Sequence, residues 1–167
     1  IDRSLVGSEM CIRDSNISAI AIDTKTEKFN TCNENGAEFS VSPMENDLKN
    51  KIADFSKSND LDVVIDFVSS KSSLELGCSI LGKGGRLVTL GGSGEQFLAN
   101  SADMLVKELE LIGSRYCTKQ ELKDSLDLYA RGLIEPLVSV KTDFDGAEGL
   151  HDKIEKGEIT GRAGILI

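Results

Sequence analysis

Tryptophan is absent from this chain, histidine occurs once and proline twice. With His151 as its only imidazole, the chain assembles neither a Ser-His-Asp set nor a Cys/His cluster at zinc-ligand spacing. Its cysteines, Cys11, Cys32, Cys78 and Cys117, are widely scattered and form no C-x-x-C pair. They read as free thiols of a reducing cytoplasm, behaving as small apolar residues. No apolar run reaches the ~20 residues of a membrane span, and the first residues lack the charged-then-apolar pattern of a secretory signal. Positive charge is scarce: 19 Lys and Arg stand against 28 Asp and Glu, a net charge of −9. No basic patch with interleaved aromatics occurs, which argues against nucleic acid or an anionic membrane as partner. A dinucleotide is not excluded, because its phosphates are gripped by local donors. A carboxyl-bearing strand lacks the element expected in front of it: residues 1–22 hold a single glycine, Gly7.

That strand is SAIAID, ending at Asp23. A short, continuous, apolar run with β-branched residues is the pattern of a strand covered on both faces. A carboxylate delivered to its C-terminal tip is how dinucleotide-binding folds hold the adenosine ribose, with a G-x-G-x-x-G loop ~20 residues earlier. The loop is missing here, so the chain reads as joining a cofactor domain part-way through. The other reading of Asp23 is a cap on the helix that follows.

Downstream, helix and strand alternate. Residues 24–34 read as a helix with Thr24 or Thr26 as N-cap and Asn35-Gly36 as its stop. EFSVS (38–42) is a strand, and 45–58 a helix with Leu48, Ile52 and Phe55 at helical spacing. LDVVIDFV (61–68) is the strongest strand. Residues 72–81 form a helix with Leu74, Cys78 and Leu81 inward and Gly82 as its cap. GRLVTLGG (85–92) is a strand running into glycines, then comes a loop, a helical turn at 102–107 and the strand LELIGS (109–114). Residues 119–131 are an amphipathic helix with Leu122, Leu126 and Tyr129 on one face, ended by Gly132. VSVKTDF (138–144), a helix at 146–156 and RAGILI (162–167) complete the chain. Alternation of this kind predicts an α/β fold with a parallel sheet and right-handed crossovers. Residues 1–15 stand apart: SLVGSEMCIRDS resembles translated sequencing-adapter DNA. The segment is set aside as a leader, the alternative being an ordinary first strand and turn.

The strand ends Val68-Ser69-Ser70 and Leu90-Gly91-Gly92 fall on the carboxyl rim, where open parallel sheets bind ligands. Glycines there let backbone approach a flat ring, although Gly-Gly is equally a simple turn. Lys83-Gly84-Gly85-Arg86 lies at the opposite rim as a solvent-facing turn. Asp66 reads as a capping or loop-bonding carboxylate, and His151, beside Asp152 and Lys153 on an exposed helix, as a surface residue.

Taken together, these segments resemble the zinc-type medium-chain alcohol dehydrogenases over residues 17–167. AIDTKTEKFNTCNENGAEFSV is similar to that family's second strand, helix and third strand. DVVIDFVSS and LELGCSILGKGGRLVTLGG are similar to its fourth and fifth strands, and ELELIGSRYCTKQELKDSLDLYARGLIEPLV to the sixth strand and the long helix after it. LHDKIEKGEITGRAGILI resembles the C-terminal helix and last strand. The resemblance implies roles: Asp23 as the acid that selects NAD, with Lys28 towards the same ribose. Val68, Leu90, Gly91 and Gly92 would line the nicotinamide half, Ser114 would lie near its carboxamide, and Arg162 would pair with the pyrophosphate.

The resemblance further implies an incomplete Rossmann-type sheet, lacking its first strand and glycine loop, plus a C-terminal remnant of the catalytic domain. Residues 1–15 are then the leader, 16–115 the partial NAD-binding domain and 116–167 the returning segment. The intact parent would be a cytoplasmic, homo-oligomeric enzyme moving a hydride between an alcohol or carbonyl and NAD. Its zinc ligands lie outside this chain, so the fragment itself is expected to be inactive. A zinc-free quinone reductase of the same superfamily is one rival, and Asp23 argues against its usual NADPH. A methyltransferase is another, but no antiparallel hairpin follows LELIGS. A non-catalytic nucleotide-binding module is the third.

Overall fold

A computed structural model describes residues 17–56 and 61–167 of the chain. The reading of residues 1–15 as a leader lies outside them. The described residues divide into two compact units, one made of the chain up to Pro43 with 117–167, the other of Met44–Tyr116. Every strand pairing in both is parallel, the outcome expected of strands separated by helical connections.

In the first unit, β1 (Ile20–Ile22) pairs with β2 (Phe39–Val41), Ile22 lying opposite Val41. The connection is a 3-10 turn (Thr26–Lys28) running into α1 (Phe29–Glu34). Ala21, Cys32 and Ala37 form the small core between them. Neither threonine caps this helix as expected; the Asp23 carboxylate instead accepts from the Lys25 N–H in the turn before it (2.8 Å). Asn35-Gly36 does stop it. The Gly36 N–H donates to the Asn33 carbonyl (3.1 Å), the Ala37 N–H donates to that of Cys32 (3.0 Å), and Gly36 has φ 106°. That paired closure suits glycine, which has no Cβ to obstruct positive φ.

The second unit starts with α2 (Leu48–Ser56), whose Leu48 and Ile52 are buried one turn apart. Strands β3 (Leu61–Asp66), β4 (Leu81–Thr89) and β5 (Glu110–Gly113) form a three-stranded sheet in that order. Helices α3 (Lys71–Ile80) and α4 (Ser101–Lys107) make the crossovers. The core is Leu74, Leu81 and Leu87, with Leu61, Val64, Cys78, Phe97 and Leu109 packed around it. Two expectations shift. Helix α3 starts one residue earlier, because Ser70 and Ser73 close a reciprocal capping box. Gly82 is not its cap, because Leu81 already has extended backbone and opens β4.

Returning to the first unit, α5 (Lys119–Ala130) leads to β6 (Val138–Thr142), α6 (Ala147–Glu155) and β7 (Arg162–Ile165), with β6 and β7 paired. The apolar face expected on α5 is exposed at Leu122, Leu126 and Tyr129, while Leu128 is buried. Helical spacing reveals a stripe, but what covers it depends on a neighbour the helix itself does not specify. No described helix is long and apolar enough to cross a membrane.

Leu87 is completely buried at the centre of the three-stranded sheet. Leu87→Ala is expected to lower the unfolding free energy by about 2.7–5 kcal/mol. The check is a lower urea midpoint at unchanged slope.

Candidate functional site

Parallel register brings three strand tips of the second unit level. Asp66 lies opposite Thr89, and Thr89 opposite Gly113. The alignment continues beyond the strands, where the Leu90 N–H donates to the Asp66 carbonyl and the Ser114 N–H to that of Thr89, both at 2.9 Å. Val68, Leu90, Gly92 and Ser114 are thereby exposed along one rim, with Gly91 partly covered.

Behind the rim is a buried polar hook. One oxygen of Asp66 accepts from both the Val68 and Ser69 N–H groups at 2.8 Å. This is the loop-bonding role expected of it. Its second oxygen is buried without a partner among the described residues. Ser69 is buried and holds φ 56°, a conformation costing a non-glycine residue about 1–2 kcal/mol. Its hydroxyl bonds that of Thr89, and its carbonyl accepts from the Ser93 hydroxyl. Gly91 crosses this hook closely. A Cβ there would sit 2.6 Å from the Val68 carbonyl oxygen and 2.5 Å from Ser69 Oγ, whereas at Gly92 it would meet nothing within 4 Å. Of the two glycines, only the first is required by a close approach.

The first unit carries the other candidates. Asp23 follows β1, its N–H donating to the Val41 carbonyl at 3.3 Å. Its Oδ1 closes the turn with Lys25, and its Oδ2 lies 4.0 Å from the Lys28 ammonium. Lys28 is itself buried. Turn closure and an ion-pair position thus coexist in one carboxylate, using different oxygens. Burial first, and then the negative charge of Asp23, push the Cys32 thiol up, against smaller opposing effects of Ser40 and Lys28. It stays a neutral core residue. Arg162 is exposed at the first position of β7, with its N–H donating to the Leu137 carbonyl at 2.7 Å. The Lys25 ammonium reaches the Gly157 carbonyl at 2.9 Å, linking the loop of Asp23 with the segment that leads to Arg162.

Val68, Leu90, Gly91, Gly92 and Ser114 therefore share one rim, Asp23 and Lys28 form a pair, and Gly157, ahead of Arg162, is bonded by Lys25 of their loop. Thr89 and Lys25 escaped the sequence reading, and Ser69, placed on the rim by it, was not expected to be buried at positive φ. A serine at positive φ carries no sequence signal, and Lys25 finds its partner 132 residues away. His151 is exposed, as expected. Among the described residues, no group of three His, Cys, Asp or Glu side chains is placed to hold a metal ion.

A family model described as zinc-binding dehydrogenase matches residues 10–131, more than half of the chain. The chain belongs to the zinc-binding dehydrogenase family. The match begins inside the segment set aside as a leader. Among curated relatives of this dehydrogenase chain, an alcohol dehydrogenase of Geobacillus stearothermophilus is 25% identical over 90% of the chain and 44% of its own length. An NAD-dependent alcohol dehydrogenase of Sulfolobus acidocaldarius is 26% identical over 86% of the chain and 41% of its own length. The chain thus spans less than half the length of these relatives. The crystal structure of an alcohol dehydrogenase from Aeropyrum pernix superposes with a TM-score of 0.76 at 27% identity, covering 86% of the chain and 41% of that structure. The α/β architecture with parallel sheets is thus that of part of an alcohol dehydrogenase. Fold alone does not select a cofactor: a crotonyl-CoA carboxylase/reductase solved with NADP superposes at 0.84 with 15% identity.

The contrast between the two glycines gives a direct test of the rim. Gly91→Ala is expected to cost about 1–3 kcal/mol, since its clash is with a backbone carbonyl that no rotamer change relieves. Gly92→Ala should leave the melting temperature within a degree or so of the parent. Thermal unfolding of the two variants side by side checks the pair.

Proposed function

We propose that this chain supplies the NAD-binding portion and returning C-terminal segment of an NAD-dependent, zinc-type alcohol dehydrogenase. The observation that carries the reading is Asp23 at the end of a parallel strand, one oxygen engaged by its own turn and the other facing a buried lysine. A carboxylate so placed suits the two ribose hydroxyls of NAD and disfavours the 2′-phosphate of NADP. The names of the relatives support the same chemistry. In this reading residues 16–115 belong to the cofactor domain and 116–167 return to the catalytic domain. The whole enzyme is a cytoplasmic homo-oligomer acting on a small alcohol or carbonyl. Free thiols at Cys32, Cys78 and Cys117 suit that compartment.

NAD, when bound, supplies the hydride acceptor. Each residue here has a binding or orienting task. Asp23 accepts from the ribose hydroxyls, and Lys28, 4.0 Å from its second oxygen, orients the carboxylate. Arg162 offers a guanidinium fork to the pyrophosphate. Val68 and Leu90 provide apolar surface for the nicotinamide, Gly91 and Gly92 keep the backbone beside it free of side chains, and Ser114 offers a hydroxyl to the carboxamide. The described residues do not fit a zinc ion, so no step of metal chemistry is derived from them.

Two outcomes test the proposal. Pyrophosphate in such folds rests on N–H groups at a helix N-terminus behind a glycine loop, and this sequence has no G-x-G-x-x-G ahead of Asp23. Calorimetry on the chain by itself should therefore show NAD binding weaker than about 100 μM, short of the ~8.2 kcal/mol of a micromolar site. Low-micromolar binding would contradict this account. In the full-length protein, Asp23→Ala removes two charge-assisted hydrogen bonds of about 1.5–3 kcal/mol each. It also relieves a like-charge contact with NADP. The ratio of kcat/KM for NAD over NADP should fall more than about tenfold, which needs only ~1.4 kcal/mol. Asp66→Asn should leave that ratio unchanged while lowering stability. An unchanged ratio in both variants reduces Asp23 to a turn-closing residue.

A further inference from the structure

We infer that Lys25 is a positioning residue that clamps the ribose-binding loop to the turn presenting Arg162. This rests on the reading of Asp23 and Arg162 as cofactor-binding residues. Lys25 is half-buried and works at both ends. Its backbone N–H holds Asp23 Oδ1 at 2.8 Å, and its carbonyl accepts from the Lys28 N–H at 3.1 Å. Its main chain therefore sits inside the loop that sets the carboxylate. Its ammonium donates to the Gly157 carbonyl at 2.9 Å, across 132 residues of sequence.

The far end of this bond is a defined structure. Helix α6 closes with the Gly157 N–H on the Ile154 carbonyl (3.1 Å) and the Glu158 N–H on that of Lys153 (2.9 Å), Gly157 having φ 66°. This double closure satisfies the last carbonyls but turns that of Gly157 outward. An ammonium there meets both a lone pair and the negative end of the helix dipole. From Gly157 the chain has little freedom before Arg162. Ile159 is buried, and the Arg162 N–H is held by the Leu137 carbonyl. Fixing Gly157 therefore fixes where β7 starts, and with it the base of the guanidinium. A ribose acceptor and a pyrophosphate donor from opposite ends of the chain must act on one ligand. The hydrogen bond between their supports keeps that spacing in the absence of ligand, lowering the ordering cost of binding.

The test separates adenosine, which carries the ribose without phosphate, from NAD, which carries both. Dissociation constants are measured in the full-length protein for Lys25→Met, Arg162→Ala and the double variant, by ligand-observed NMR for adenosine and by calorimetry for NAD. Lys25→Met should weaken NAD about tenfold, as for loss of a charge-assisted bond, and leave adenosine within about twofold, because the N–H that holds Asp23 is backbone. The double variant should be no weaker than Arg162→Ala alone, the signature of two residues acting through one interaction. Lys25→Arg should recover most of the NAD affinity. Hydrogen exchange should quicken at residues 157–162 in Lys25→Met. Additive losses, equal losses for both ligands, or an unaffected NAD constant in Lys25→Met would each overturn the clamp. If Arg162→Ala itself leaves NAD affinity intact, the pyrophosphate role falls and the clamp falls with it. A loss in Arg162→Ala with none in Lys25→Met overturns the clamp alone.

Discussion

Parallel pairing is the constraint on which the candidate site depends. Strands that all run one way place all their carboxyl ends together, so loops from distant parts of the sequence emerge on one rim. In the three-stranded sheet this is carried to the residue: Asp66, Thr89 and Gly113 are level, and the hydrogen bonds from Leu90 and Ser114 continue the ladder past the last strand position. An antiparallel strand in the middle would have sent one of those loops to the opposite edge. The same rule places Asp23 after β1, with its own N–H still bonded to the strand partner Val41.

Two aspartates at strand ends illustrate how one residue type divides its work. Asp66 gives one oxygen to two backbone N–H groups and leaves the other buried without a partner among the described residues. It stiffens a loop that contains a serine at positive φ and a close backbone crossing at Gly91. Asp23 also spends one oxygen on its own turn, but its second oxygen faces Lys28 and the side chain retains solvent access. A carboxylate held by its own loop yet open on one side is pre-organised for ligand hydroxyls. One closed on both sides is a structural brace. Exposure, more than residue identity or strand position, separates the two.

The comparisons and the geometry bear on different questions. The family match and the alcohol dehydrogenase relatives place the chain within a set of enzymes more than twice its length. Relatives are named NAD-dependent alcohol dehydrogenases, whereas the fold alone does not distinguish cofactors, since superposable folds include one solved with NADP. The proposed role of Asp23 rests instead on the side chains around it, whose arrangement is local enough to be argued from charge and hydrogen bonding.

The element order and the parallel class were legible in the sequence because both rest on local signals: buried strands as short apolar runs, helices as spaced leucines, and stops at Asn35-Gly36 and Gly132. Asp23 was legible for the same reason, an acid at the end of an apolar run. What resisted were boundaries and contacts made at a distance. Gly82 looked like a helix cap because nothing in its neighbours reveals that Leu81 is already a strand paired with Leu61. The stripe of Leu122, Leu126 and Tyr129 was visible, but its exposure depends on a neighbour that helical periodicity does not encode. Ser69 carries no mark of its positive φ, which is imposed by Asp66 and Thr89 from two different strands. Lys25 looks like any turn lysine until the end of α6 is beside it. The sequence by itself determined the pieces, their class and the acid at the end of the first strand, because each follows from residues within one turn or one strand. Tertiary structure alone decided which carboxylate is closed, which glycine is crowded and which lysine joins two ends of the chain, because those depend on atoms brought together by pairing across 20 residues or more.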